Sequence, residues 1–291
     1  MINSKLVSVV VNCFNGQDYL KEALQSVLDQ DYENWELIFW DNCSTDQSKK
    51  IFDGFLDSRF KYYYANEHTV LYEARNLALD KCRGDLIAFL DVDDYWKSNK
   101  LSMQVREFND DIGLVCSDYL LLNERKNTIK HIKSPRINAR IGMKSIVSDY
   151  SICMSSIVIN KFAINNKNLK FDSRYQIIGD FKMVVDILNS YKISCVNEAL
   201  VTYRWHGENI SIREKEKHLI ELKKLEHECQ NEEYLTYLEE KIAYLEATDL
   251  IMGEKKYHSI VKMKKIQSTW KKAKIVFGIL MPLWIIKKLR V

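Results

Sequence analysis

Short apolar runs alternate with stretches of helical spacing through the first hundred residues. The apolar runs predict strands at 6–11, 35–40, 60–65 and 86–90. The stretches between them predict helices over 18–28, over 72–82, and from a Ser44-Thr45-Asp46 cap to residue 56. Three of the strands are apolar on both faces, which is typical of a parallel sheet that helices cover on both sides. We therefore expect an α/β fold with a mostly parallel sheet.

The pattern after residue 100 is less regular. It predicts strands at 113–117, 155–160 and 200–205, a hairpin over 118–134 and a helix over 180–188. From 213 to about 246, Glu, Lys and Leu recur with helical spacing and without Gly or Pro, which predicts one or two helices. We therefore expect one domain over 1–212 and a helical C-terminal region over 213–291.

Polar side chains follow three of the predicted strands directly. Asn12 follows the first strand, Asp41 follows the second, and Asp91-Val92-Asp93-Asp94 follows the strand at 86–90. Ligands in open α/β sheets bind beyond the carboxyl ends of the strands. We therefore expect these side chains to converge on a ligand site.

The Asp91-Val92-Asp93-Asp94 run favours a metal site. Strand alternation would point Asp91 and Asp93 to the same side. Two carboxylates so placed repel each other unless a cation lies between or beside them, and Mg²⁺ and Mn²⁺ accept such oxygen ligands. The alternative is a solvated acidic turn in which Asp94 caps the next helix.

Motifs of other nucleotide and metal sites do not occur in the sequence. Neither G-x-G-x-x-G nor G-x-x-x-x-G-K-[ST] is present, so Rossmann dinucleotide binding and P-loop hydrolysis lack their loops. An EF-hand starting at Asp91 is disfavoured, because Trp96 stands where Gly is needed and Ser102 where Glu is expected. Sugar-phosphate nucleotidyltransferases need a glycine-rich first turn, and this turn has Gly16 alone.

A series of short motifs runs in a fixed order from about residue 5 to residue 212. They are VSVVVNCFN (7–15), DNCSTD (41–46), ARNLA (74–78), FLDVDD (89–94), IGDF (178–181) and YRWHGENIS (203–211). As an ordered set, these motifs resemble those of glycosyltransferase family 2. The resemblance does not extend to the C-terminal region.

The resemblance implies a GT-A fold, a Rossmann-like sheet flanked by helices, which here carries a C-terminal helical extension. It also implies transfer of a sugar, with inversion at the anomeric carbon, from a nucleotide-diphosphate sugar. The acceptor would be a hydroxyl of a glycan or of a polyprenyl-linked saccharide, in surface polysaccharide biosynthesis. UDP is the commonest nucleotide in the family, and Mn²⁺ or Mg²⁺ would bridge its diphosphate.

By the same resemblance, individual positions receive roles. The nucleotide-sugar site would be formed by Asn12, Asn15, Asp41, Arg75, Asp91 and His206. Asp93 and His206 would bind the metal, and Asp180 would be the catalytic base that takes the proton of the acceptor hydroxyl. The residues by themselves leave three alternatives open, in which Arg75 is a surface cation, His206 a structural histidine and Asp180 a helix N-cap.

Three positions depart from the family pattern. Asn42 and Cys43 replace the second Asp and the Gly of the family's D-D-G-S-T-D, and Gly179 replaces the Glu often found before the base. Two other functions stay open, a membrane-associated sugar-nucleotide-binding protein without catalysis and a sugar-phosphate nucleotidyltransferase. Retention of Asp93 and Asp180 argues against the first of these.

The net charge of +3 is unevenly distributed. Residues 255–291 carry eleven Lys or Arg and no acid, whereas the preceding residues carry an excess of acids. This split is unlike that of a uniformly basic nucleic-acid-binding protein, and we expect no nucleic acid as a partner.

The basic C-terminal tail contains an apolar run at 275–286, broken by Pro282. The run is too short to span a bilayer, but with Trp270, Trp284 and its flanking lysines it predicts binding to an anionic membrane surface. The alternative is a helix that packs into the body or into a dimer seam.

The cellular compartment is suggested by the cysteines. All seven are scattered and form no C-x-x-C pair, which favours a reducing environment. The N-terminus shows no secretory-signal pattern. We therefore expect a cytoplasmic protein that is peripheral on the cytoplasmic face of the inner membrane.

Overall fold

A computed structural model describes residues 5–134, 142–206, 209, 214–253 and 258–280. The chain divides into two units. The first, which we call the sheet unit, comprises Met1–Ile146 and Tyr150–Arg213. The second, which we call the helical unit, comprises Val147–Asp149 and Glu214–Val291.

A mixed sheet organises the sheet unit. Its strands are β1 (Val7–Cys13), β2 (Trp35–Asp41), β3 (Phe60–Tyr64), β4 (Leu86–Phe89), β5 (Tyr95–Trp96), β6 (Ile112–Asn123), β7 (Thr128–Ile132), β8 (Val158–Asn160) and β9 (Lys192–Trp205). Their order is β3-β2-β1-β4-β8-β6-β9-β5, with β7 paired to β6. The first four strands in this order are parallel, and β8 runs antiparallel to both of its neighbours. The predicted α/β class is confirmed.

Helices follow most of the strands. They are α1 (Leu20–Leu28), α2 (Ser48–Phe52), α3 (Leu71–Leu79), α4 (Lys100–Val105), α5 (Met143–Ser148), α6 (Lys161–Asn166) and α7 (Gly179–Leu188). The continuous apolar runs of the sequence become the central strands because both of their faces are covered. Val9 and Val11 of β1 pack in one cluster with Leu20 and Leu24 of α1, and Val10 between them is equally buried.

Several elements differ in length from the sequence prediction. Helix α2 is only Ser48–Phe52, because Asp46 is used in the loop before it, where its carboxylate accepts the Ser48 and Gln17 amides. Strand β8 starts late, because Met154–Ser156 forms a 3₁₀ turn. Strand β9 starts at Lys192 rather than at 200, since its first half pairs in parallel with β6. The predicted hairpin is β6–β7.

The helical unit contains α8 (Lys215–Glu228), α9 (Glu232–Met252), α10 (Ser259–Lys262) and α11 (Thr269–Leu280). The segment predicted to form one or two helices forms two, and the second begins after Asn231, whose side chain accepts the Tyr234 amide and so caps α9. A small core joins α9 and α11 through Ile251, Ile266 and Ile275. None of the helices in the described residues is long and apolar enough to cross a membrane. Pro282, Trp284 and the rest of the tail from 281 lie outside the described residues.

Candidate active site

The polar ends of three neighbouring strands lie at one edge of the sheet. β1 lies between β2 and β4, and all three are parallel. In this register Cys13 is opposite Asp41 and Val10 is opposite Phe89, so Asn12, Asp41 and the run that begins at Asp91 all lie at the carboxyl edge. The topology thus brings together the polar residues that the sequence predicts at this edge.

Two loops at this edge are tied together through Asn15. Its side-chain oxygen accepts the Thr45 amide at 2.8 Å, and its own amide donates to the Ser44 hydroxyl at 3.0 Å. Asn15 has φ of 54° and Cys43 has φ of 70°, both in the left-handed region. Cys43, at a position where the family motif has glycine, therefore adopts a backbone conformation that favours glycine, despite the steric cost of a side chain there.

Asp41 is buried, and both of its carboxylate oxygens are engaged. One oxygen accepts the Ser44 amide at 2.7 Å, and the other accepts the Tyr62 hydroxyl at 2.6 Å. Asn12 lies on the neighbouring strand, and its side-chain nitrogen is buried without a hydrogen-bond partner in the described part of the chain. An unpaired buried donor costs about 1–3 kcal/mol, so a ligand that accepts from Asn12 would relieve that cost.

Asn42 fastens the segment that leads into α3. Its amide nitrogen donates to the Thr69 carbonyl at 2.8 Å, and its side-chain oxygen accepts the Thr69 amide at 3.2 Å. A carboxylate at this position could accept but not donate. The departure from the family pattern at position 42 therefore serves a loop contact in this chain.

Arg75 joins two of the predicted site carboxylates electrostatically. Its guanidinium is buried and donates to Asp91 at 2.7 Å, so the surface-cation alternative does not hold. Asp180, in the first turn of α7, also acts on Arg75. Burial raises the pKa of the Asp180 carboxyl above its ordinary value, the Asp91 charge adds to this, and Arg75 opposes it.

The run from Asp91 to Asp94 is a turn and not an extension of β4. The Asp94 amide donates to the Asp91 carbonyl at 3.0 Å, which closes the turn. Strand alternation therefore does not apply, and the predicted common orientation is wrong: Asp91 faces Arg75, whereas Asp93 faces His206.

Asp94 does not cap a helix. It is buried, and it accepts the Ser155 hydroxyl at 2.5 Å and the Arg204 amide at 3.0 Å. Burial raises the pKa of Asp94 well above its ordinary value, and the charges of Asp93 and Asp91 act in the same direction. The third acid of the run thus anchors the Asp91–Asp94 turn to β9 and to the 3₁₀ turn at Met154–Ser156.

Asp93 and His206 lie side by side and contact each other directly. His206 Nε2 lies 3.1 Å from Asp93 Oδ2, and the Asn209 amide nitrogen lies 3.3 Å from the same oxygen. Neighbouring ligands about 2.1 Å from an octahedral cation are about 3 Å apart, so this spacing fits a metal-binding pair. Within the described ranges, no group of three His, Cys, Asp or Glu side chains is arranged to hold a metal.

Arg204 clamps the turn, a role that sequence reasoning missed. Its Nε donates to the Asp93 carbonyl at 3.0 Å, its Nη1 donates to Glu124 at 2.8 Å, and its Nη2 pairs with Glu22. Tyr19 donates to the same Glu124 at 2.8 Å, and its ring stacks against His206. These partners are far apart in the chain, so only the motif position of Arg204 could have signalled its importance.

Comparison with known proteins decides the family. The model of the family described as glycosyl transferase family 2 matches residues 8–169. The chain belongs to glycosyltransferase family 2. Escherichia coli WfaP, a UDP-Glc:alpha-D-GlcNAc-diphosphoundecaprenol beta-1,3-glucosyltransferase, is 30% identical over 210 residues, 71% of this chain and 80% of the relative. Bacillus subtilis TuaG, named for teichuronic acid biosynthesis, is 41% identical over 102 residues, 34% of this chain and 40% of the relative.

Solved structures of glycosyltransferases share the fold. Staphylococcus aureus TarS in complex with UDP-GlcNAc superposes with a TM-score of 0.67 at 17% identity, over 84% of this chain and 72% of TarS. The mannosyltransferase PcManGT of Pyrobaculum calidifontis, in complex with GDP-Man and Mn²⁺, gives a TM-score of 0.67 at 15% identity, over 95% of this chain and 80% of that one. The family 2 chain therefore has the GT-A fold and is a glycosyltransferase, with relatives in cell-surface polysaccharide biosynthesis.

Proposed function

We propose that this enzyme transfers a sugar from a UDP-sugar to a hydroxyl of a lipid-linked saccharide, with inversion and with a divalent cation. The observation that carries the proposal is the arrangement of two groups of side chains at the Asp91–Asp94 turn. In the first group, Arg75 pairs with Asp91, and both act on Asp180. In the second group, Asp93 contacts His206. Residues 1–212 would perform the transfer, and residues 213–291 would attach the enzyme to the membrane.

The nucleotide-sugar would bind along the edge formed by Asn12, Asn15, Asp41, Arg75, Asp91 and His206. The unpaired amide of Asn12 is a donor that a nucleotide oxygen would satisfy. UDP as the nucleotide is supported by relatives, since TarS is solved with UDP and with UDP-GlcNAc and WfaP is named for UDP-Glc. The lipid-linked acceptor is supported by WfaP, whose name specifies a diphosphoundecaprenol saccharide.

Asp93 and His206 would hold the cation, Mn²⁺ or Mg²⁺. Their 3.1 Å separation and their oxygen and nitrogen donors fit such an ion, with diphosphate oxygens and water completing its shell. A divalent cation there supplies charge neutralisation for a departing nucleotide diphosphate. The Mn²⁺ in the PcManGT complex supports this assignment.

Asp180 would take the proton of the acceptor hydroxyl at its carboxylate. A base works best when its pKa lies near the working pH, and burial raises the pKa of Asp180 in that direction. Arg75 limits this rise, because its positive charge favours the ionised carboxylate. One base and no protein nucleophile are sufficient for a single displacement, which inverts the anomeric carbon.

We expect at least one nucleotide-diphosphate sugar to raise the melting temperature in the presence of Mn²⁺ or Mg²⁺, because a ligand of the folded state stabilises it. Asp93→Ala should raise the apparent Kd for that ligand about tenfold or more, since it removes a metal ligand. Asp110→Ala, which removes an exposed carboxylate elsewhere in the sheet unit, should leave the Kd unchanged. A thermal-shift panel over sugar nucleotides, with and without metal, measures both effects.

Three outcomes, one from that panel and two from product assays with the same protein, would count against the proposal. Absence of stabilisation by every sugar nucleotide contradicts a donor site. Binding without UDP release in the presence of saccharide acceptors supports the non-catalytic binding protein. Formation of pyrophosphate from a nucleoside triphosphate supports the nucleotidyltransferase.

We further propose that α11 binds an anionic membrane surface, at the cytoplasmic face. One side of α11 is packed in the helical unit through Lys271, Ile275 and Gly278. The other side leaves Trp270 69%, Phe277 45% and Leu280 75% exposed, at spacings that share one helical face. The excess of Lys and Arg in 255–291 complements anionic lipid, and seven free thiols are typical of a reducing compartment.

Lys272→Glu/Lys274→Glu in the full chain should weaken binding to anionic liposomes about tenfold or more, because each basic residue near such a surface contributes about 1 kcal/mol. Leu56→Ala, which removes an exposed apolar side chain of the sheet unit, is the control and should have no effect. Co-sedimentation with liposomes of graded anionic content measures the change. Equal binding to neutral and anionic liposomes would contradict the proposal.

A further inference from the structure

Gly179 begins α7 directly before Asp180, and no side chain fits at its position. A Cβ built there would lie 2.5, 2.6 and 2.7 Å from three ring atoms of Tyr72. Real Cβ atoms essentially never approach other atoms so closely. The phenol ring of Tyr72, on α3, therefore occupies the space that the family's Glu side chain would enter.

The hydroxyl of Tyr72 lies at the N-terminus of α7. Its single proton is shared between two acceptors, the Ile177 carbonyl at 3.0 Å and Asp180 Oδ1 at 3.4 Å. Against the larger effect of burial, the backbone amides of Asp180 and Gly179 lower the pKa of Tyr72. The N-cap residue, Ile178, has an apolar side chain that cannot accept these amides itself. Tyr72 thus reaches the start of α7 from another helix, and its hydroxyl engages the Ile177 carbonyl and the Asp180 carboxylate there.

The Tyr72 ring is fixed in place, and its hydroxyl stays protonated. It is buried, stacks on Phe171 with centroids 5.8 Å apart, and lies against the Arg75 guanidinium. Burial raises the pKa of Tyr72 well above its ordinary value, and the charge of Asp180 adds to this. The hydroxyl is therefore a hydrogen-bond donor at every pH at which the enzyme would work.

We propose that Tyr72 is a positioning residue for the catalytic base. Its ring fills the space beside Gly179, and its hydroxyl orients the Asp180 carboxylate in place of the missing acidic neighbour. The inference rests on the proposed role of Asp180. It explains why Gly179 stands where the family often has Glu, because the Tyr72 ring and a side chain at position 179 cannot occupy the same space.

The charged and titratable groups that act on Asp180 come from several elements. They are Tyr72 and Arg75 of α3, Asp91 after β4, and Tyr150 before the 3₁₀ turn. The Phe181 amide also donates to Asp180 Oδ1 at 2.7 Å. Because a donor to a carboxylate favours its charged form, loss of the Tyr72 hydroxyl should raise the pKa of Asp180 further.

Tyr72→Phe keeps the ring and removes the hydroxyl. We expect kcat to fall about tenfold, KM for the donor to stay within about twofold, and the acid limb of the pH–rate profile to move up by about half a unit. Tyr32→Phe is the matched control, since Tyr32 also donates to a backbone carbonyl, that of Lys5, at 2.6 Å. That control should change neither kcat nor the profile, although it loses the same kind of hydrogen bond.

A second experiment tests the placement of the Tyr72 ring by protein stability alone and needs no substrate. Gly179→Glu should lower the melting temperature strongly, because its side chain meets the Tyr72 ring. The double variant Tyr72→Ala/Gly179→Glu should be more stable than the sum of the two single changes predicts, since one change vacates the space that the other fills. Additive effects would overturn the proposed placement of the ring.

The outcomes separate this inference from the proposed function. If Asp180→Asn leaves transfer intact, the assignment of the base fails, and with it the positioning role of Tyr72. If Asp180→Asn abolishes transfer while Tyr72→Phe matches Tyr32→Phe in kcat and pH profile, only the Tyr72 inference is overturned.

Discussion

Asp180→Asn is expected to lower the rate of sugar transfer by about 10²–10⁴-fold, because it removes the group that accepts the proton of the acceptor hydroxyl. The change keeps the shape of the side chain and removes its charge. Binding of the sugar nucleotide should persist, since the proposed metal ligands are untouched. Single-turnover transfer and the thermal shift by donor measure the two properties on the same samples.

The same substitution should raise stability at neutral pH. Burial raises the pKa of Asp180 in the folded protein, so the folded state holds a proton at pH values where the unfolded chain has lost it. The contribution of protonated Asp180 to the free energy of unfolding is therefore complete below the pKa of Asp180 in the unfolded chain. This contribution is lost as pH rises through the higher pKa of Asp180 in the folded protein. Asp180→Asn should lack this decline, which chemical unfolding at several pH values would show.

The activity of the unchanged enzyme should depend on pH in the corresponding way. Transfer needs the ionised Asp180 carboxylate, so kcat/KM should fall as pH is lowered through its raised pKa. An ordinary aspartate titrates near pH 4, and the acid limb of this enzyme should lie at a higher pH.

Asp172→Asn provides a control of opposite sign. Asp172 pairs with Arg174 at 2.6 Å, and this bond lowers the pKa of Asp172 below its ordinary value. Its charge therefore stabilises the fold, and its loss should lower stability at neutral pH without lowering transfer. If both asparagine variants changed stability in the same direction, the account of Asp180 would be wrong.

Lys100→Met is expected to raise the free energy of unfolding by about 3 kcal/mol at pH 7. Lys100, at the start of α4, is 0% exposed. Its ammonium nitrogen lies 4.1 Å from the centroid of the Trp96 ring and has no hydrogen-bond partner among the described residues. Methionine has a similar length and needs no solvation, so it would fill the same space without burying a charge.

The pH dependence of this gain gives its cause. Burial lowers the pKa of Lys100 to about 7, whereas the unfolded chain would titrate near 10.5. Between these values the unfolded state binds the extra proton, so stability rises with pH by up to about 1.4 kcal/mol per unit. The destabilisation of the fold by Lys100 is therefore complete below pH 7 and disappears towards pH 10.5. The Met variant also loses the contact of the ammonium with Trp96, which reduces its gain in stability by about 1 kcal/mol.

Lys97→Met is the control for this prediction. Lys97 is partly exposed and pairs with Glu198 at the surface, where such pairs contribute about 0–1 kcal/mol. Urea unfolding of both variants at pH 7 and at pH 10 separates the effects. A gain for Lys100→Met that did not shrink at high pH would contradict the burial of a titrating amine.

The polar carboxyl edge of the sheet was predictable because its causes are local. A strand buried on both faces is a continuous apolar run, and its polar end marks the carboxyl edge, so the sequence pattern was enough to place Asn12, Asp41 and Asp91 there. The order of motifs from residue 5 to residue 212 then indicated the family, which the comparison confirmed.

Other features of the site were not predictable from local patterns. The sequence gives no sign that Asp94 is buried, that Asp91 and Asp93 turn to different partners, or that Arg204 holds their turn. Each of these depends on residues from distant parts of the chain, such as Arg204 and His206 of the C-terminal half. Whether a polar side chain is solvated or enclosed is decided by such distant neighbours.

Hydrophobic periodicity reports which faces a segment buries, and it was therefore sufficient to establish the α/β class, the parallel strands and the polar residues at their ends. It could not establish that β8 enters the sheet antiparallel, that Lys100 is enclosed against Trp96, or that Tyr72 fills the space beside Gly179. These features arise only in the folded chain, because packing fixes the neighbours of a side chain, and those neighbours set its charge, its hydrogen bonds and the room it has.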